Sequence, residues 1–371
     1  RFVAFKQPFE DVVLSDNMLA IEQATTTQRN NGFRVFPITV GELLRQGSEV
    51  AQSPLDNSEA VRFAQPNNYV GEKWGGKYLR APDIFFTILE KGKDKLVGLG
   101  SIAAEVNEGR PTGANNFFFV PPEVANQFQI EQQYLRPALM KTRGKAFLQL
   151  TAEHVERYFL SLPRNNTWRE GNVAEYVKYG ERQVLPKSRT LKAKVDWWYI
   201  PVRHPADLIA PCGYGERVWC GINRAKAITS NSYTEIRLHS IEYLSSIFFT
   251  LNHPIGWLFL ELVGRASLGG GLIKVDPIDY RQILVVRIPQ SLFIPFDREV
   301  ETIFNECGID PESEVPIAEQ EPNPLPDRKA LDDIVFDALN LTEEERKEVY
   351  RAVCQLVWER ISKARSVKRN G

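Results

Sequence analysis

Gly109–Val120 reads GRPTGANNFFFV, and the contrast between its two halves organises the rest of the chain. Gly109, Pro111 and Gly113 make a tight backbone turn, since glycine tolerates positive φ and proline pre-sets its own. Phe117, Phe118, Phe119 and Val120 then form an apolar run, the mark of a strand buried on both faces. Between the halves, Arg110, Thr112, Asn115 and Asn116 stand at the lip of the turn with donors and acceptors to spare. On composition alone this is a hairpin with polar tips.

Outward from that turn, strand signals dominate. They fall over 84–89, 95–106, 146–150, 197–202, 217–221, 227–230, 272–275 and 283–288, with helices expected over 153–162 and 173–179. The mixture predicts an α+β fold. Its centre is a mixed, curved or barrel-like β-sheet domain with interspersed helices, and a C-terminal helical segment follows. Trp197 and Trp198, as neighbours in a strand, are expected to face opposite ways. The apolar stretch 241–263 holds Glu242, His253-Pro254 and Glu261, too interrupted for a membrane span, and reads as two buried helices joined at the proline.

Three parts follow from these shifts in character. Residues 1–68 begin as a strand, give a second strand over 33–38 and a short helix over 39–45, and then turn polar. Residues 69–295 hold the mixed sheet. Residues 296–371 open with an acidic segment, 312–326, carrying Pro316, Pro322, Pro324 and Pro326 and expected to be an extended linker. Leu331, Ile334, Val335, Ala338 and Leu339 then recur at helical spacing. Thr342 and Glu345 make a capping box for a last helix, whose apolar stripe is Val349, Val353, Leu356, Val357 and Ile361. The first residue is arginine and the chain starts abruptly, so it reads as the C-terminal part of something longer.

With 371 residues, 43% hydrophobic and 25% charged, the chain has an ordinary globular composition and room for two or three domains. Four cysteines without Cys-x-x-Cys spacing argue against a structural zinc site and a disulfide framework, and point to a reducing cytoplasm. Four histidines without ligand spacing give metal chemistry no support. There is no P-loop, His-Glu-x-x-His or Gly-x-Ser-x-Gly. Cys212-Gly213-Tyr214-Gly215 reads as a turn rather than a nucleotide cradle. Asp276-Pro277-Ile278-Asp279 also reads as a turn.

The net charge is −1, so no global field announces a polyanion partner. Locally the balance differs: residues 136–226 carry roughly twice as many basic as acidic side chains. Lys141, Arg143 and Lys145 form one cluster, and Lys187, Arg189, Lys192 and Lys194 another. Both lie in loops, with Trp168, Tyr176, Tyr179, Trp197, Trp198 and Tyr199 interleaved. Such a surface suits a nucleic-acid groove as well as it suits a solvated loop.

The segment G-x-x-TGAN-x-FF resembles the start of the target-recognition region in gamma-class N6-adenine DNA methyltransferases, the type I modification subunits and fused restriction–modification enzymes. Other stretches agree in order: Trp74–Pro82, Tyr134-Leu135-Arg136-Pro137, Trp168–Asn172, Tyr179–Arg182, Trp197-Trp198-Tyr199, Leu251-Asn252, Gly264-Arg265 and Gly269–Leu272. The resemblance implies sequence-specific recognition of double-stranded DNA in a prokaryotic restriction system. It makes 1–68 the residual edge of a catalytic domain and 69–295 the recognition domain. No Asn-Pro-Pro-Tyr-type tetrapeptide is present, so this chain has no catalytic or cofactor residue of its own. S-adenosyl-L-methionine is implied for a separate catalytic methyltransferase domain, in the same polypeptide or as a subunit. The DNA-binding set expected from charge and loop position is Arg110, Thr112, Asn115, Asn116, Lys141, Arg143, Lys145, Lys187, Arg189 and Lys192. A stand-alone specificity subunit and a protein-interaction scaffold remain the alternatives.

Overall fold

Residues 80–141, 146–188, 190–201, 203–266, 271–288 and 298–369 are described by the structure, a computed structural model, together with the strands Val3–Ala4 and Leu19–Ala20. The chain divides into two units, Arg1–Phe86 and Thr87–Gly371. In the first, Val3–Ala4 and Leu19–Ala20 pair antiparallel. The strand and helix expected over 33–38 and 39–45 lie outside the described residues. Helix Asp83–Lys91 replaces the strand expected over 84–89. Ile84, Phe85 and Ile88 keep helical spacing, while Asp83 in the first turn and Lys91 in the last complement the helix dipole.

The second unit is α+β, with two main sheets. The five-stranded sheet runs in the order Ala103–Glu108, Tyr233–Leu238, Leu208–Pro211, Gly221–Asn223, Gln149–Leu150, antiparallel except at its last pair. The four-stranded sheet runs Ile228–Thr229, Leu135–Leu139, Arg157–Leu160, Phe119–Val120, with its first pair parallel. Neither sheet closes on itself, so the barrel-like expectation gives way to two open sheets. Ser230–Ser232 carries the chain from one to the other, between Ile228–Thr229 and Tyr233–Leu238.

The phenylalanine run is buried as expected, but Asn115–Phe118 is one turn of helix and only Phe119–Val120 is strand. The helical turn lets three successive rings enter one core. Phe117 stacks on Tyr176 at 4.6 Å and leans on Trp197 at 5.2 Å; Phe119 meets Phe159 edge-on at 5.4 Å. Burying side chains of this size contributes on the order of 2 kcal/mol each, with ring pairs adding about 1 kcal/mol more. The helix expected over 173–179 forms as Val173–Arg182 and covers this core. Gly180 permits the approach, because a Cβ there would stand 2.6 Å from the Phe117 ring and 2.7 Å from that of Trp197.

Two expectations fail here. The helix over 153–162 is a short 3-10 turn, Ala152–His154, followed by strand Arg157–Leu160. Ladder partners on both sides, Phe119–Val120 and Leu135–Leu139, override the local preference. Trp197 and Trp198 lie in a turn, not a strand, so they do not alternate; both are buried, Trp198 against Trp168 at 4.9 Å.

The helical layer matches its sequence closely. Tyr243–Leu251 and Pro254–Val263 are bent by 73° at the proline, and His253 caps the second helix by accepting from the Ile255 N–H at 2.9 Å. Among the described residues no single helix is long and apolar enough to cross a membrane. Helices Pro326–Leu339 and Glu343–Arg369 follow, the second with the expected Thr342–Glu345 capping box and with Val349, Val353 and Val357 fully buried. Arg360 pairs with buried Glu261 at 2.7 Å, tying the last helix to Pro254–Val263. Arg328 is fully buried, bonded to Glu306 at 2.8 Å, with Asp332 at 3.6 Å; Tyr350 donates to Asp332 at 2.9 Å. Burial pushes the Asp332 carboxyl up to about 7.

Residues 312–326, expected as an extended linker, are instead folded onto this layer. Ile317 is buried, and the Gln320 amide donates to the Asp310 and Val315 carbonyls, both at 2.8 Å. Glu321 pairs with Lys347 at 2.5 Å. The prolines here shape a packed strap, because Gln320 supplies the hydrogen bonds that a linker would leave to water.

Candidate nucleic-acid interface

The turn at 109–116 is built from its own side chains. Gly113 takes φ +78°, which an L side chain rarely adopts. Thr112 Oγ1 accepts from the Ala114 N–H at 3.0 Å and donates to Asn115 Oδ1 at 2.6 Å. That leaves the Asn115 amide N–H free to reach out of the turn, where it donates to Asn231 Oδ1 at 3.2 Å. Thr112 is fully buried, so its role is to orient Asn115.

Arg110 does not line the lip either. Its backbone N–H donates to the Thr229 carbonyl at 2.7 Å, and its guanidinium bonds Glu235 at 3.2 Å, with both side chains almost wholly buried. Glu235 also accepts from Thr229 Oγ1 at 3.0 Å. Burial lowers the Arg110 pKa against the opposing pull of Glu235, yet a guanidinium so placed stays charged. The ion pair therefore locks the turn onto the crossover between the two sheets.

Around this turn, segments far apart in sequence converge. Ser230 Oγ donates to the Met140 carbonyl at 2.7 Å, which puts exposed Lys141 at the same crossover as Asn231. From the other side, Thr190 Oγ1 donates to the Gly113 carbonyl at 3.1 Å, while Leu191 is buried in the aromatic core. The segment is thus anchored at Leu191 with Lys187, Lys192 and Lys194 exposed. Thr112, Gly113, Asn115, Thr190, Lys194 and Asn231 line one open groove of about 500 Å³.

Of the expected set, half-buried Asn115 lines this groove, and Asn116, Lys141, Lys187 and Lys192 are exposed. Arg110 and Thr112 are interior supports, and Arg143, Lys145 and Arg189 lie outside the described residues. Asn231, Thr190 and Lys194 were not in that set. Ser230-Asn231-Ser232 is a polar triplet between strands, a turn signal; its partner Asn115 stands 116 residues away, beyond local pattern.

Cys212-Gly213-Tyr214-Gly215, expected as a turn, contains strand Gly213–Tyr214 paired with Ile273–Lys274. It does not run into a helix, so it does not fit a nucleotide cradle. Asp276-Pro277 opens helix Pro277–Arg281 with a capping box rather than closing a turn. Both readings failed because a short paired or capped element carries the same residues as a turn.

The described residues thus assemble a polar and basic surface on an α+β scaffold. The chain belongs to the family of the Type II methyltransferase M.Eco57I C-terminal domain, which matches residues 71–307. It is similar to Type II methyltransferase M.AccI of Acinetobacter calcoaceticus, 25% identical over 161 residues that are 42% of this chain and 28% of that protein. Among solved structures it is similar to the type IIG restriction endonuclease BpuSI, at 14% identity and a TM-score of 0.48, over 76% of this chain and 34% of that one. The chain spans about a third or less of the length of these relatives.

Proposed function

We propose that this chain grips and reads double-stranded DNA for an adenine-N6 methyltransferase of a restriction–modification system. The observation that carries the reading is the groove at Asn231. The braced amide of Asn115, the Asn231 side chain and Lys194, brought from three remote segments, line it together, in a chain of the Type II methyltransferase family. Asparagine amides match the N6/N7 edge of adenine in the major groove, and exposed lysines neutralise phosphates without reading sequence. Methyl transfer from S-adenosyl-L-methionine belongs, in this reading, to a catalytic domain carried in the same polypeptide or as a partner subunit. This chain's own residues hold and orient the duplex.

The test is binding of mixed-sequence duplexes across a salt series. Each phosphate contact adds about 0.9 to the slope of log K against log salt. Lys192→Ala with Lys194→Ala should weaken binding and lower that slope by about 1 to 2. Salt-independent binding, or none, would favour the scaffold alternative.

A further inference from the structure

A second groove, of about 690 Å³, opens at the other end of the parallel strand pair. Arg136, Arg203, Lys226 and Arg237 line it, with Glu105 beside them. Ile228 and Ala138 are paired in register, so Lys226 and Arg136, each two residues earlier, stand together at one end of the pair. Asn231 and Lys141 stand at the other. The separation is about 16 Å, from five residues at about 3.3 Å each.

Its cations are held in place by a built frame. Asn223, almost fully buried, donates to the carbonyls of Ala206 at 3.0 Å and Ala227 at 2.9 Å, and accepts from the Ala227 N–H at 2.9 Å. One side chain thus ties the turn bearing Lys226 to the segment bearing Arg203. Arg237 Nε adds a second tie, donating to the His204 carbonyl at 2.9 Å. Lys226 keeps a φ of +51°, a strained conformation for a side chain that points to no acid among the described residues. Glu105 is bonded by Arg237 and held below the usual carboxylate range by that bond; it also feels Arg203, so one carboxylate stands against the four cations of the groove and leaves an excess of positive charge there. No ion pair joins those three to any described residue.

We infer that this groove is a phosphodiester seat: Arg203, Lys226 and Arg136 clamp backbone phosphates about half a duplex turn from the reading groove. The identity of the polyanion rests on the DNA reading above; the anion seat itself rests on the frame and its free charges. Its occupant carries no sequence information, so the two grooves divide positioning from readout.

Two measurements on the full chain, wild type and Arg203→Ala/Lys226→Ala, test it. Both side chains are exposed, so circular dichroism and melting should match wild type. The variant should lose duplex affinity equally for all sequences, with the salt slope lower by about 2. Inorganic tripolyphosphate should raise the wild-type melting temperature and leave that of the variant unmoved. A variant with the salt slope of a duplex-binding wild type, or equal tripolyphosphate shifts in the two proteins, overturns the seat and leaves the DNA reading standing. A wild type that ignores duplex while tripolyphosphate protects only it keeps the seat and removes the DNA reading. Failure of both probes to act on wild type overturns the seat as well.

Discussion

Arg110 and Glu235 meet at 3.2 Å with side-chain exposures of 6% and 2%, an ion pair sealed between the polar turn and the second strand of the five-stranded sheet. Taking Arg110 away leaves buried Glu235 to the more distant Arg237, at 3.6 Å, while taking Glu235 away strands the Arg110 charge in the interior. Arg110→Ala should therefore destabilise the chain by about 3 kcal/mol, and the double variant with Glu235→Ala by less than the sum of the two singles. Denaturant unfolding of the four proteins measures the coupling; simple additivity would count against a sealed pair.

Asn115 and Asn231 offer a different contrast, because their mutual hydrogen bond lies at the surface and adds no more than about 1 kcal/mol to stability. Asn115→Ala and Asn231→Ala should each leave folding nearly intact. Both should alter which duplexes are preferred, and their effects on preference should not add. Selection from a randomised duplex pool checks this; an unchanged preference with equal affinity removes both from readout.

Gly180 tests the aromatic core. Gly180→Ala places a methyl group against the Phe117 and Trp197 rings, at 2.6 and 2.7 Å before relaxation. Overpacking of this kind costs about 1–3 kcal/mol. A melting curve indistinguishable from wild type would mean that helix Val173–Arg182 slides at no cost.

Asp332 gives stability a pH dependence of definite sign. Its pKa rises from an unfolded value near 3.8 to about 7, because burial disfavours the carboxylate. The folded state therefore binds the extra proton between these values, so this group's contribution is complete below about pH 4 and is lost as pH rises through 7. Glu306 and Glu105, whose pKa values are lowered, act in the opposite sense at lower pH. The isolating measurement is wild-type stability minus that of Asp332→Asn. It should fall between pH 4 and 7, by at most about 1.4 kcal/mol per pH unit, and level off above. A flat difference would show that Asp332 stays ionised in the folded state.

Where local chemistry decides structure, the sequence was informative. The Thr342–Glu345 box, His253-Pro254 and the valine stripe of the last helix all act within one or two turns of themselves. Where a remote partner decides, it was not. Residues 157–160 look helical until Phe119–Val120 and Leu135–Leu139 bracket them. Arg110 looks like a surface donor until Glu235, 125 positions away, claims it. The site divides the same way. The turn, Lys141 and the 187–194 loop were visible as polar segments, but their meeting at Asn231 exists only in three dimensions, as does the frame that Asn223 builds under Lys226.

The crossover Ser230–Ser232 has an evolutionary corollary. The Tyr233 N–H closes the turn on the Ser230 carbonyl at 3.2 Å and the Ser232 carbonyl accepts from the Cys212 N–H at 2.9 Å, so one residue gained or lost there would break bonds that fix the turn between the sheets. Those bonds constrain length at this point, while the side chain at 231 is exposed. New preferences can then arise by substitution at an unmoving address, without any insertion to accommodate.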